Sequence, residues 1–189
     1  MPRGRTRDEA AHRRILEATY ELIGSGDASH AKVDDIAKAA GVAKQTIYRW
    51  WPSRTAVIFD ALLEGTVQAT PLGSSDDLRE DFTTHLQGVI RVFNSPTGQL
   101  IREMLAASAH DPQTAEEFRQ RFWAPRRARS KARLQEAIDA GQVRDDIDIE
   151  LALDALYGPV WLRLTVGHKR STQQQAATIV SNIIDGIAR

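Results

Sequence analysis

Helical periodicity runs along almost the whole chain, whereas the strict alternation of apolar and polar residues typical of strands is almost absent. Ile15, Ala18 and Leu22 show the pattern, since they recur at three- and four-residue steps, the spacing of a helix with one buried face. The sequence therefore predicts an all-α fold. The predicted helices cover 7–23, 33–40, 44–50, 54–69, 76–93, 97–109, 112–123 with continuation to 140, 149–168 and 172–188.

Glycine, proline and serine mark the ends of the short helices near the N-terminus. Gly24 to Gly26 stops the first helix. Gly41 follows the second helix, where a C-cap requires the left-handed conformation that glycine adopts easily. Pro52 ends the third helix, and Ser53 is a suitable N-cap for the fourth. These signals predict a three-helix N-terminal domain over 1–53 and a larger helical domain over 54–189.

Composition narrows the classes of protein that the chain can belong to. It has no cysteine, which excludes disulfides, cysteine nucleophiles and zinc-finger chemistry. No apolar run is long enough to span a membrane, and the basic N-terminus lacks the apolar stretch of a secretory signal, so we expect a cytoplasmic protein with no membrane partner. The histidines show no metal-ligand spacing, and Ser108, His110 and Asp111 are only neighbours in sequence. We expect no cofactor, no metal and no catalytic residue.

Residues 33–50 have the layout of a helix-turn-helix motif: two short helices joined by a tight glycine turn. Such a motif needs small residues where the helices cross, which Ala37, Ala39 and Ala40 can supply, and an apolar anchor in the second helix, which Ile47 can supply. The rest of the second helix mixes cations with hydrogen-bonding side chains, as a helix in a DNA major groove requires. The alternative is an ordinary helical hairpin with a solvated face. The candidate DNA-binding residues of this helix are Lys44, Gln45, Thr46, Tyr48 and Arg49.

Short motifs over about residues 10–60 resemble the tetracycline-repressor (TetR) family of transcriptional regulators. They are Ile15-Leu16-Glu17-Ala18, Val33-Asp34-Asp35-Ile36-Ala37, Ala40-Gly41-Val42-Ala43, Thr46-Ile47-Tyr48 and Trp51-Pro52-Ser53-Arg54. The resemblance implies a helix-turn-helix domain followed by a helical-bundle domain for ligand binding and dimerisation. It implies three partners: double-stranded operator DNA, a small-molecule effector and a second copy of the chain.

The resemblance also implies roles for single residues. Thr46 and Tyr48 would face the groove and the DNA backbone. Arg54, at a position where the family usually has lysine, would bind a phosphate at the start of the fourth helix, where free N–H groups and the helix dipole favour an anion. An N-terminal arm along the DNA and an unstructured tail are both open readings of the arginines at the N-terminus, Arg3, Arg5 and Arg7.

Departures from the family pattern lie at the ends of the two short helices. Lys32 and Ala43 stand where the family tends to place a Ser or Thr cap, so both helices are expected to begin less firmly. Trp50 and Trp51 replace the usual aromatic ending of the second helix. We expect one indole to pack against the first helix and the other to lie near the DNA.

The last two predicted helices are rich in apolar residues, and the first of them is apolar nearly all round. Such a helix must be covered on more than one side. Pairing of both helices with their symmetry mates would form a four-helix interface; the alternative is burial within one protomer. The candidate dimerisation residues are Leu153, Leu156, Val160, Leu164, Val180, Ile183, Ile184 and Ile187.

Aromatic and methionine side chains in the C-terminal domain are candidates for the lining of a ligand cavity. Their alternative role is plain core, which such side chains usually fill. His85, Gln99 and Arg102 could supply the polar groups that an adaptable apolar pocket uses. The candidate pocket residues are Phe93, Met104, Leu105, Phe118, Phe122, Trp123, Tyr157 and Trp161.

The sequence thus predicts a ligand-responsive transcriptional regulator, a repressor that binds a palindromic operator as a dimer and is released by a small apolar or aromatic effector. Residues 1–55 hold ten Lys or Arg against seven Asp or Glu, which suits an anionic partner at that end. The basic run 126–133 is interpreted as a solvated helix face rather than a second nucleic-acid site. The alternatives are a helical small-molecule carrier or enzyme, and a DNA-organising protein of low specificity.

Overall fold

The computed structural model of the chain describes residues 3–26 and 31–188, with side chains from residue 9 onward. The side chains of Arg3, Arg5 and Arg7 lie outside the described residues, so the predicted arm is not addressed. Across the described ranges the chain is helical, and the one ladder contact is an isolated bridge between Val143 and Ala188. The helices are α1 (Arg3–Gly24), α2 (Val33–Ala40), α3 (Lys44–Trp50), α4 (Arg54–Ala69), α5 (Leu78–Phe93), α6 (Pro96–Ser108), α7 (Pro112–Glu117), a π-helical segment (Phe118–Trp123), α8 (Ala124–Asp139), α9 (Ile149–Val166) and α10 (Gln173–Ile187).

The chain divides into two compact units, Met1–Gln68 and Ala69–Arg189. In the first unit, α1 to α4 enclose a small apolar core. Gly65 of α4 allows close packing there, because a Cβ on it would meet the ring of Tyr20 in α1 at 2.2 Å. By its contacts α4 belongs to the same compact unit as the first three helices. The domain boundary at residue 53, which the helix-turn-helix motif suggested, stays a prediction. The core is formed by Ile15, Leu16, Ile23, Val33, Ile36, Ile47, Val57 and Leu62.

The second unit packs α5, α8, α9 and α10 around one apolar core. Short polar side chains begin α5, α6 and α9, as sequence capping rules predict: Asp77 accepts from the N–H of Glu80, Ser95 from that of Thr97 and Asp148 from that of Leu151. Gly167 ends α9 in the left-handed conformation, with φ at 70°. None of the helices in the described ranges is long and apolar enough to cross a membrane.

Candidate DNA-binding surface and regulatory cavity

The turn between α2 and α3 depends on Gly41. It adopts φ 63° and ψ 40°, where a residue with a Cβ is strained, and the N–H of Val42 returns to the carbonyl of Ala37 at 3.0 Å. Ala37, Ala40 and Ile47 are buried as the helix crossing requires, but Ala39 is exposed. The prediction that Ala39 lies at the crossing is wrong, because it falls on the opposite face of α2.

One face of α3 is open to solvent. The buried Ile47 fixes the other face, and the helix has only seven residues, so its polar side chains project together. Tyr48 keeps 49% of its surface exposed, which leaves an aromatic ring with a hydroxyl free to meet DNA. Of the candidate DNA-binding residues on α3, Lys44, Gln45, Tyr48 and Arg49 are exposed and Thr46 is half-buried.

Lys44 is tied to α2 by an ion pair with Asp34. Its Nζ lies 3.0 Å from the carboxylate, and the hydrogen bond and charge of Asp34 raise the pKa of Lys44 above its ordinary value. Both side chains are largely exposed, so the pair contributes little to stability. Its effect is to hold the ammonium group beside the N-terminus of α3. The sequence analysis did not identify Asp34 as the partner of Lys44, although Asp34 is part of the α2 motif that carries the family resemblance.

Neither α2 nor α3 begins with a side-chain cap, as the residues Lys32 and Ala43 predict. At α2 the reciprocal half of a capping box remains: the backbone N–H of Lys32 donates to the carboxylate of Asp35 at 2.7 Å. A carboxylate in the first turn also suits the helix dipole. No such contact is described at the start of α3, so α3 depends on packing for its stability.

Trp51 provides that packing. Its indole is 3% exposed, stacks on His12 of α1 with ring centroids 4.7 Å apart, and donates from Nε1 to Asp60 of α4 at 2.8 Å. Trp50 is 40% exposed, and its ring meets His12 edge-on at 5.0 Å. The prediction that one indole packs against the first helix is confirmed for Trp51. His12 and Asp60 could not be recognised as its partners from sequence, because they lie on the helices α1 and α4, whose packing against Trp51 no local pattern predicts.

Arg54 is half-buried at the start of α4, and its Nε donates to the carbonyl of Ala31 just before α2. The hydroxyl of Ser53 accepts from the N–H of Ala56 at 3.2 Å, which confirms Ser53 as the N-cap. Arg54 therefore links α4 to the segment that precedes α2. Its contact with a DNA phosphate stays a prediction.

Aromatic rings of the second unit meet around Trp161 of α9. Its ring lies 4.8 Å from Phe93, 5.4 Å from Trp123 and 6.4 Å from Phe122, measured between centroids. Phe118 is buried and stacks on Phe122 at 4.9 Å. The cluster borders a cavity of about 60 Å³, called here the aromatic cavity, which is far below the usual size of a ligand site. Its lining is His85, Phe122, Trp123, Arg126, Arg127, Ser130, Tyr157 and Trp161.

The candidate pocket residues thus do not share one cavity. Phe122, Trp123, Tyr157 and Trp161 line the aromatic cavity, and Phe118 supports it through Phe122. Phe93 lines a separate cleft together with Gln99 and Arg102. Met104 and Leu105 are half-buried on α6 and line neither space.

Polar groups line the inner side of the aromatic cavity. The Nδ1–H of His85 donates to the carbonyl of Thr70 at 3.0 Å, and burial, assisted by the charge of Arg129, lowers the pKa of His85 from 6.5 to about 4. The hydroxyl of Tyr157 lies 2.9 Å from that of Ser130, and burial raises the pKa of Tyr157 to about 12. Both rings are therefore neutral near pH 7.

The basic run 126–133 is a solvated helix face only in part, since Lys131 is exposed while Arg127 and Arg133 are largely covered. Arg133 is 6% exposed and pairs with Asp81 of α5 at 2.8 Å. Although burial opposes the charged form, the hydrogen bond from Arg133 holds the pKa of Asp81 below its ordinary value. Arg127 pairs with Glu150 of α9 at 2.7 Å. The solvated interpretation was wrong for these two residues, because their carboxylate partners lie far along the chain.

Two family models match the chain. The model described as bacterial regulatory proteins of the tetR family matches residues 15–61, and the model described as the C-terminal domain of tetracyclin-repressor-like proteins matches residues 74–183.

The chain belongs to the TetR family of bacterial regulatory proteins. It is a ligand-responsive transcriptional regulator with a helix-turn-helix DNA-binding domain and a helical C-terminal regulatory domain.

Individual relatives cover nearly all of this TetR-family chain. The uncharacterised HTH-type transcriptional regulator YdeS of Bacillus subtilis is 36% identical over 185 residues, which are 98% of this chain and 93% of that protein. The DNA-binding transcriptional repressor TetR of Mycobacteroides abscessus is 25% identical over 173 residues, which are 88% and 86%. The crystal structure of the TetR-family transcription regulator SCO0332 superposes with a TM-score of 0.80 and 28% identity, covering 95% of this chain and 99% of that one.

Within this TetR-family protomer, the candidate dimerisation residues point mainly inward. A side chain that is fully covered inside its own protomer cannot also form the surface that meets a partner. The prediction of a shared face needs correction for six of the eight, four on α9 and two on α10, because they are buried within one protomer, the alternative that the sequence left open. Leu153, Leu156, Val160, Leu164, Val180 and Ile184 are buried in the core of the second unit, and Ile183 and Ile187 pack partly buried against it.

A different set of α9 residues is exposed and apolar. They follow one another at steps of four, three, four and four, which places them on one helix face. This set is called here the α9 stripe. Its large side chains are 56–66% exposed, and Gly158 has open space where a Cβ would stand. The α9 stripe consists of Leu151, Ala155, Gly158, Leu162 and Val166.

Proposed function

We propose that this TetR-family regulator is a cytoplasmic repressor that binds a palindromic operator as a homodimer and leaves it when a small apolar or aromatic effector binds. The proposed function includes no catalysis. The observation that carries it is the open face of α3, where Tyr48 and its neighbours project while Ile47 and Trp51 hold the helix from behind. Relatives named as transcriptional regulators and as a repressor support it.

DNA recognition is assigned to α3 and the start of α4. Gln45, Thr46 and Tyr48 would read base edges or position the helix, and Lys44 and Arg49 would contact phosphates. Lys44 starts from its ion pair with Asp34, so on binding it exchanges a carboxylate for a phosphate. Arg54 would contact a phosphate while its Nε keeps the carbonyl of Ala31.

Dimerisation is assigned to the α9 stripe. An exposed apolar stripe on a helix whose opposite face is buried in its own protomer is the feature expected of a contact between equal subunits. Ala155 and Gly158 in its centre let two helices approach closely, and Leu151, Leu162 and Val166 supply apolar area at its ends. Two copies of α3 related by a two-fold axis would then read half-sites about one helical turn, or a multiple of it, apart.

Effector binding is assigned to the aromatic cavity. Trp123 and Trp161 offer ring faces to an aromatic ligand, but a volume of about 60 Å³ requires the cavity to widen. The π-helical segment Phe118–Trp123 forms part of its wall. Such segments are rare and often occur at functional sites, and a shift to α-helical hydrogen bonding would move Phe122 and Trp123. A ligand that favours the widened form releases DNA only if that form binds the operator less well.

Selection of bound DNA from a random library tests the proposal. We expect the selected sequences to share two inverted half-sites, and the chain with Tyr48→Ala to select related half-sites with a relaxed preference at the position that Tyr48 contacts. Selected DNA without dyad symmetry would refute the dimeric reading. Recovery of DNA with no shared sequence by the unsubstituted chain would favour an organising protein of low specificity.

A further inference from the structure

A second cavity, called here the basic cleft, lies in the regulatory unit where the C-terminal ends of α5 and α9 meet the N-terminus of α6. Its volume is about 360 Å³, which is within the size range of small-molecule sites. Phe93 lines the basic cleft and Trp161 lines the aromatic cavity, and their rings meet edge to face. The two spaces are therefore neighbours with separate linings.

Positive charge dominates the lining of the basic cleft. Among the lining residues there are four cationic side chains and no Asp or Glu. One of them, Arg163, donates to the side-chain oxygen of Gln175, which is neutral. A concave surface with charge of one sign concentrates the electric field and attracts ions of the other sign. The cationic residues are Arg102, Arg163, Lys169 and Arg170.

The cations of the basic cleft differ from other exposed cations of the same unit in their ion pairing. Arg79, Arg119 and Lys131 are also exposed, and each pairs with a carboxylate within 3.0 Å. In the described part of the chain no ion pair is found for those of the basic cleft. Glu103 is a carboxylate that contacts a lining residue, since it accepts from Gln99 on the rim at 3.1 Å. One rim carboxylate does not balance four cations.

The floor of the basic cleft is apolar. Val160 and Leu164 of α9 are buried and line it together with the half-buried Phe93. A ligand that satisfies both parts needs an anionic group for the rim and an apolar group for the floor.

We propose that the basic cleft binds an amphipathic anion, a molecule that joins one phosphate, sulfate or carboxylate group to a short apolar chain or ring. Arg102, Lys169 and Arg170 bind the anionic group. The apolar group covers Phe93, Val160 and Leu164. This site is separate from the aromatic cavity and does not depend on the effector assigned there.

Isothermal titration calorimetry with octyl phosphate tests the ligand class. Inorganic phosphate serves as the anionic group alone and octanol as the apolar chain alone. We expect octyl phosphate to bind. Inorganic phosphate and octanol should each bind with at least about tenfold lower affinity, because each lacks one of the two contacts. Equal binding of octanol and octyl phosphate would refute the role of the cations.

Substituted chains test the place of binding. Lys169→Gln with Arg170→Gln, on an exposed segment, should weaken octyl phosphate about tenfold, and Arg102→Gln should weaken it similarly. Arg119→Gln with Lys131→Gln removes the same charge from the same unit and should change affinity less than about twofold. If this control weakens binding equally, the loss of affinity reflects the net charge of the protein and not contacts in the basic cleft, and the proposal fails. If Trp123→Ala abolishes binding while the cleft variants retain it, octyl phosphate occupies the aromatic cavity and the proposal fails.

Discussion

Tyr48 presents an aromatic ring with nearly half of its surface exposed on the open face of α3. Tyr48→Ala should weaken binding to the selected operator by about 1–3 kcal/mol and leave binding to unrelated DNA little changed. Tyr48→Phe separates the ring from its hydroxyl. Fluorescence anisotropy with both DNAs measures the two affinities. Equal loss on operator and unrelated DNA would mean that Tyr48 contacts only the backbone.

Burial of His85 predicts an acid-sensitive fold. The pKa falls from 6.5 to about 4 in the folded protein, so between these values the unfolded chain binds the extra proton. The free energy of unfolding should therefore fall as the pH drops through this window, by about 3 kcal/mol in total. His85→Gln keeps a donor for the carbonyl of Thr70 and should flatten this dependence. Urea titrations at several pH values measure it, and an equal slope in both proteins would contradict the assignment.

The orientation of α3 depends on Trp51, which touches α1 through His12 and α4 through Asp60. Trp51→Phe removes the indole N–H and leaves the partly buried carboxylate of Asp60 without this donor. We expect a loss of about 1–3 kcal/mol in the free energy of unfolding of the first unit. The matched control is Trp50→Phe on the next, exposed residue, which should cost less than about 0.5 kcal/mol. Comparable losses in thermal denaturation would show that both indoles are structural.

Helix ends were predictable where one residue sets the conformation. The bounds of α2, α3 and α4 were predicted to the residue, because Gly41, Pro52 and Ser53 act locally. The inward face of α9 was not predictable, since leucine occurs both in its buried set and in its exposed stripe. A single-helix pattern cannot decide between two apolar faces.

The candidate DNA-binding site was likewise predictable in part from the sequence. The exposed face of α3 followed from the spacing around Ile47, which is buried as predicted. The partners of the buried charged side chains could not be predicted from the sequence, because residues such as Asp81 and Arg133 are 52 positions apart. Only the packing of α5 against α8 brings those two together.

At the scale of the whole molecule, the α9 stripe predicts the oligomeric state. Leu162 is 56% exposed in the protomer, so Leu162→Asp should leave the fold intact and yield monomers that lose about tenfold or more in operator affinity. Val67→Asp, at an exposed apolar position of α4, serves as the control and should remain dimeric. Analytical ultracentrifugation measures the mass. A dimeric Leu162→Asp chain would move the subunit contact elsewhere.

Because α9 turns Leu153 and Leu156 into its own core and Leu151 and Leu162 outward, each protomer completes its core before it meets a partner. In the proposed dimer, subunits made from different gene copies would therefore pair freely. A chain whose α3 cannot bind DNA but whose α9 stripe is intact would form mixed dimers that bind only one half-site. Loss-of-function alleles in α3 should accordingly be dominant over the intact gene, whereas alleles that disrupt the core of the second unit should be recessive.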